Sequence, residues 1–197
     1  MSKKRINKVL LILGIAFLLI GIFILVSSIF LISNMKFISN KNIIYNLEKG
    51  NIENNKISIF QKDQYKAMLS IPKISLIGKI YDIDSDENNV NKNIEVIKPS
   101  DFPDVLHGNL ILASHSGNSN VSYFKNLDKL SIDDIAYVYY ENKKYIYKIV
   151  DIYNQVKTGK IDIVRNKNET NLTLITCDKK DKKFQIVFIG KLINIKD

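Results

Sequence analysis

This sequence is sparing with the residues that carry most side-chain chemistry. Its 197 residues include one cysteine, Cys177, and two histidines, His107 and His115. Arginine occurs only as Arg5 and Arg165, in a chain otherwise rich in Ile, Lys and Asn. A single thiol excludes an intramolecular disulfide, so Cys177 is either buried and inert or chemically used. Two arginines leave few candidates for any role that needs a guanidinium. No nucleic-acid motif and no internal repeat accompanies the formal charge of +9. Lys3, Lys4, Arg5 and Lys8 supply four of those charges, which leaves +5 for the remainder. The other lysines are scattered among acids, as on a solvated surface that favours an anionic envelope. The length suits one domain plus an anchor and is too short for two full domains.

Charge is missing altogether between Lys8 and Lys36. Residues 9–33 are dominated by Leu, Ile, Phe and Val. At about 1.5 Å per residue this run is long enough to cross a hydrocarbon core of roughly 30 Å. It reads as an uncleaved signal anchor, longer than the apolar region of a cleaved signal peptide. The basic residues at 1–8 form a cytoplasmic tail by the positive-inside tendency, which puts the rest of the chain outside a plasma membrane crossed once. Residues 34–66 are polar and rich in Asn and Lys, and read as an extracellular stalk.

From Ala67 the pattern turns to strand, giving a domain over 67–197. Met68–Ile74 is apolar and contains Pro72, which suits an edge or first strand. Lys79–Ile83 is a second short strand. Asp84–Lys92 is rich in Asp, Asn and Ser and reads as a loop with one helical turn. Asn109–His115 has a buried-strand pattern, and Tyr123–Leu130 has helical spacing. Ala136–Tyr140 and Lys144–Tyr153 form a hairpin around Glu141–Lys143. Leu172–Cys177 and Gln185–Ile195 are further strands. Seven or eight short strands with little helix predict an all-β barrel or sandwich.

Two polar residues end apolar strands. Cys177 closes Leu172–Cys177 just before the polar run Asp178–Lys183, where a side chain is held rigidly with its tip near solvent. His115 closes Asn109–His115 and is followed by Ser116, Gly117, Asn118 and Ser119. An imidazole can take the proton of a thiol and return it to a leaving amine. The alternative reading of His115 is a loop histidine without a role.

These segments carry a resemblance. Leu172–Cys177 followed by Asp178 (LTLITC-D) resembles the sortase signature T-L-x-T-C, in which a strand bears the nucleophile. Leu112–Gly117 (LASHSG) resembles the sortase segment in which a histidine follows a small residue pair at a strand end. Tyr123–Leu130 is similar to the helix that follows, Ile71–Ile74 to the family's opening strand, and the gap of 62 residues from His115 to Cys177 also fits. The resemblance covers about Met68 to the C-terminus and implies a sortase-like closed β-barrel of seven to eight strands with short helices, preceded by one N-terminal transmembrane helix.

For function, the resemblance implies a cysteine transpeptidase of the wall-anchoring rather than the pilus-polymerising type. The chain has no Asp-Pro-aromatic lid motif and no apolar segment after Ile195. Cys177 would attack an LPxTG-like sorting motif of an exported protein, His115 would protonate the departing amine, and an amine of a peptidoglycan precursor would resolve the thioacyl enzyme. Ser114 and Thr176, beside the two reactive residues, are the candidate substrate-binding positions. No metal or organic cofactor is implied. Calcium, bound by some sortases, is not indicated, since Asp82, Asp84, Asp86 and Glu87 read as a solvated loop. The departure is the arginine expected at the start of the strand after the cysteine. Gln185 stands there, with Lys182, Lys183 and Arg165 as other replacements. The alternative function is therefore a weak or inactive sortase-like module that binds partners. An L,D-transpeptidase-like enzyme fits less well, because Cys177 lacks the Gly and Arg of a Ser-x-Gly-Cys-x-Arg setting.

Overall fold

The computed structural model describes residues 13–29 and 65–197. Residues 13–29 form an α-helix with large apolar side chains exposed around it, including Phe17 and Phe23, each 73% exposed. Among the described residues no helix is long and apolar enough to cross a membrane. The ends of the expected 9–33 span, the basic tail and nearly all of the expected stalk lie outside the described residues.

The domain is all-β, as expected, with eight strands. They are β1 (Ala67–Ile71), β2 (Leu76–Ile80), β3 (Glu95–Val96), β4 (Asn109–Ala113), β5 (Ile135–Tyr140), β6 (Lys143–Val156), β7 (Asn171–Cys177) and β8 (Phe184–Lys196). One sheet contains them all, in the order β2-β1-β5-β6-β8-β7-β4-β3. Among these pairings only β4–β7 is parallel. An isolated parallel bridge joins Ile80, at the end of β2, to Ile94, just before β3. The two edges of the sheet thus meet and the barrel is nearly closed. Gly78 makes this seam possible, because a Cβ there would collide with the Ile94 side chain and approach Tyr123.

Period-2 alternation sorts the central strands into two faces. Leu110, Leu112, Leu172, Leu174 and Phe188 enter the main core with Phe124 and Tyr147. Ile111, Ile175, Val187 and Ile189 form a second cluster on the other face, with Tyr153, Ile161 and Ile163 packed on it. β4 and β7 are covered on both sides, which is why each reads as an unbroken apolar run.

Three local expectations change. Tyr123–Leu130 is a succession of i→i+3 turns ending in a 3-10 helix at Leu127–Lys129 and contains no α-helix. Phe124, Leu127 and Leu130, spaced by three, are its buried residues, and that spacing matches three residues per turn. β1 stops at Ile71 because Pro72 opens a 3-10 turn, Pro72–Ile74. With Pro72 outside it, β1 is an interior strand, paired to β2 on one side and β5 on the other. The second strand runs over Leu76–Ile80, three residues earlier than its apolar signal suggested. The hairpin is as expected, turning at Glu141 and Asn142 with φ of 48° and 60°.

Candidate active site

The parallel β4–β7 pair positions the site. Its register matches Ala113 with Ile175, an offset of 62 residues. The offset from His115 to Cys177 is the same. β4 ends at Ala113, so His115 lies two residues past the paired strand, at the position a continued register would match with Cys177. The continuation is hydrogen-bonded. The Ser114 N–H donates to Ile175 O at 3.3 Å, and Thr176 Oγ1 donates to Ser114 O at 2.9 Å. Ser114 and Thr176 are buried, and His115 and Cys177 are half-buried.

Ser114 and Thr176 are 4% and 5% exposed. Ser114 Oγ accepts the Tyr123 N–H at 3.2 Å, so its hydroxyl anchors the turn after His115. Thr176 borders an open cleft of about 320 Å³ at the barrel mouth, together with Ser116, Cys177, Asp178, Ile186 and Phe188. Cys177 is half-buried. His115 Nε2 lies 3.1 Å from Asn91 Oδ1, an acceptor, so the imidazole donates there and its orientation is fixed by the 84–92 loop. Sequence reasoning did not single out Asn91, one of many asparagines in a polar loop.

On the other side of Cys177, Gln185 is its directly opposed partner on β8. Gln185 is 8% exposed and in turn opposes Gln155 on β6. Gln155 Oε1 accepts the Asp162 N–H at 3.1 Å, while its Nε2 is buried without a partner. Tyr153 works beside it. Its hydroxyl donates to Asp162 O at 3.0 Å and accepts the Val164 N–H at 2.9 Å. Burial pushes the Tyr153 phenol up. These bonds clamp the β6–β7 connection onto the outer face, where Ile161 and Ile163 pack on the second cluster.

The hydrogen-bond partner of Cys177 Sγ is Lys157, whose Nζ lies at 3.1 Å. Sequence reasoning missed this residue, and its only signal was a place just past a strand. Arg165 is elsewhere. Its Nη1 donates to His107 O at 3.2 Å and Asn171 Oδ1 at 3.1 Å, at the opposite end of β7. Lys182 and Lys183 are exposed on the β7–β8 turn. In the acidic loop Asp82, Asp84 and Glu87 are each paired with a lysine, Lys66, Lys98 and Lys92. Among the described residues no group of three acidic, His or Cys side chains is arranged to hold a metal.

A nearly closed β-barrel in which one strand ends in a thiol, with an imidazole two residues past the end of its parallel neighbour, defines a class of protein with a candidate cysteine nucleophile at a strand end. The profile of the family described as sortase domain matches residues 69–193, and the chain belongs to the sortase family, whose known members are cysteine transpeptidases. Solved structures share the fold. A lid mutant of sortase A from Corynebacterium diphtheriae is 20% identical, covering 66% of this chain and 70% of that one, with a TM-score of 0.59. Sortase C from Streptococcus pneumoniae is 19% identical over 67% and 70% of the two chains, also at 0.59. Sortase C2 of group B Streptococcus pilus island 1 is 23% identical over 67% and 76%, at 0.57. Among the curated proteins compared, none matches.

Proposed function

We propose that this protein is a transpeptidase of exported proteins, acting through a thioacyl enzyme on Cys177. The observation that supports this reading is that β4 and β7 pair in parallel at an offset of 62 residues, the same offset as from His115 to Cys177. The Cys177 thiolate adds to the Thr carbonyl of an LPxTG-like motif. The tetrahedral adduct collapses by breaking the C–N bond, and His115 gives its proton to the departing amine. A cell-wall amine then attacks the thioester, yields its proton to His115 and displaces the thiolate. The half-buried Ile97, Ala113, Ile161 and Ile163 supply an apolar border that suits the Leu-Pro part of such a motif. Gln185, buried opposite Cys177, offers an amide donor to the oxyanion. The missing Asp-Pro-aromatic lid motif favours the wall-anchoring type. The uncharged stretch at 9–33, preceded by Lys3, Lys4, Arg5 and Lys8, supports a single-pass anchor with the catalytic domain outside.

The test uses the full chain in mild detergent with a fluorogenic LPxTG-type peptide, with and without hydroxylamine. Cleavage accelerated by hydroxylamine, with an acyl adduct on Cys177 that is lost in Cys177→Ala, is the expected result. A wild-type chain that forms no adduct across a varied peptide panel sinks the reading. Gln185 in place of the family's arginine favours, in that case, a non-catalytic module that binds sorting motifs. The topology has its own test, because the chain has one thiol. A membrane-impermeant maleimide added to intact cells labels Cys177 if the domain is outside and leaves it unlabelled if it is inside.

A further inference from the structure

We propose that Lys157 is the cationic catalytic group of this site, holding the Cys177 thiolate and then the oxyanion that forms when the thiolate adds to a carbonyl. The inference rests on Cys177 as the nucleophile. Lys157 Nζ stands 3.1 Å from Sγ, within hydrogen-bond reach of a reacting atom. Its backbone is fixed: the Lys157 N–H donates to Lys183 O at 2.8 Å, which extends the β6–β8 ladder by one rung. Gln155, two residues earlier on the same face, opposes Gln185, and Gln185 opposes Cys177. The strand order β6–β8–β7 therefore lays the lysine across β8 onto the sulfur.

Lys157 is the cation at hydrogen-bond distance from the sulfur, and Lys179 and Lys180 line the cleft beside Cys177. Arg165 is bonded at the far end of β7. Lys179 pairs with Asp128, and Asp178 accepts the Lys180 N–H. On the β8 side the residue facing the thiol is Gln185, neutral and buried. His115, past the end of β4, is bonded to Asn91. An ammonium on a four-carbon stem carries three donors and can follow negative charge from sulfur to the adjacent carbonyl oxygen. In that step the sulfur lone pair forms the S–C bond and the carbonyl π pair moves onto oxygen. Collapse returns the pair, the C–N bond breaks, and nitrogen leaves with the proton of His115. Lys157 keeps its three protons throughout.

The full chain, with Lys157→Met and Lys157→Arg, is alkylated at Cys177 by neutral iodoacetamide and by anionic iodoacetate, followed by intact mass. A cation at the sulfur favours the anionic reagent. Lys157→Met is expected to lower the iodoacetate-to-iodoacetamide rate ratio about tenfold, and Lys157→Arg to keep it within about twofold. Hydroxylamine-dependent peptide cleavage is expected to fall about 10²-fold in Lys157→Met and to return to within about tenfold in Lys157→Arg. Circular dichroism and melting of each variant check folding. A folded Lys157→Met with wild-type ratio and rates overturns the proposal. So does a Lys157→Arg as impaired as Lys157→Met in both assays, because that lysine would act as a base. If the wild type cleaves no peptide, the transpeptidase reading fails, while the alkylation ratio still reports on Lys157 alone.

Discussion

Thr176→Val removes one buried hydroxyl and tests how the reactive pair is held together. Thr176 Oγ1 donates to Ser114 O at 2.9 Å and is the side-chain tie between β7 and the residue before His115. Val has the same shape, so no cavity opens. Losing a hydrogen bond of this kind and leaving a buried carbonyl short of a donor costs about 1–3 kcal/mol. The added methyl, buried at the same place, returns at most about 0.8 kcal/mol. The net destabilisation is about 0.2–2 kcal/mol, which for a domain of this size lowers the melting temperature by up to about 8 °C. The functional consequence is larger in proportion. Freed from Thr176, the His115 backbone drifts relative to Cys177, and a displacement near 1 Å at a catalytic group costs up to about 10² in rate. Melting by circular dichroism, peptide cleavage and iodoacetamide labelling are read on the same sample. The expected pattern is a lower melting temperature, cleavage reduced tenfold or more, and unchanged labelling of Cys177. A variant that melts and cleaves like wild type refutes the idea that this bond aligns the pair.

Other parts of the fold make sharp predictions. Tyr147 is fully buried and its hydroxyl has no partner, which also pushes its phenol pKa up. Tyr147→Phe should therefore stabilise the domain by about 1 kcal/mol, measured by thermal unfolding, and a loss of stability would argue against an orphaned hydroxyl. Gly78→Ala forces a Cβ into Ile94 at the barrel seam and should cost about 1–3 kcal/mol, whereas a neutral outcome would mean that the seam yields. Lys66 hydrogen-bonds Asp82 and holds its carboxyl below the usual range. The stability from this depressed carboxyl is present above about pH 4 and is lost as pH falls through the folded value. Because both partners are well exposed, Asp82→Asn should cost less than about 1 kcal/mol at pH 7 and nothing in strong acid, measured by urea titration at the two pH values.

The strands that carry the site were legible because both of their faces are buried. Leu172–Cys177 matches β7 to within one residue, whereas Asn109–His115 runs two residues past the end of β4 at Ala113, and both are apolar at the positions either core uses. The hairpin of β5 and β6 was legible from its Val, Ile and Tyr, although the turn seats Glu141 and Asn142 at positive φ with no glycine to announce it. What escaped was set by tertiary pairing. β3 is two residues long and exists because Glu95 and Val96 find Ala113 and Leu112. The Tyr123–Leu130 segment had three apolar residues whose spacing of three served a 3-10 turn as well as a helix. Lys157 was one lysine among many. Its place over the thiol depends on a β6–β8 register with irregularities near Ile146 and Ile149, which no local pattern encodes.

The position of β8 bears on how the site comes into being. β8 follows the other seven described strands in sequence yet lies between β6 and β7 in the sheet. Until it inserts, β7 has only its parallel partner β4, more than sixty residues distant, and β6 has an open edge. Pairings across such sequence distances place the domain among slow, high-contact-order folders. Gln185 also arrives on this strand, and Lys157 is tied down by its first turn. The nascent chain therefore carries its thiol without the partners that arm it. The site is complete only when β8 is in place, so removing Phe184–Lys196 leaves a sulfur and an imidazole but no built site.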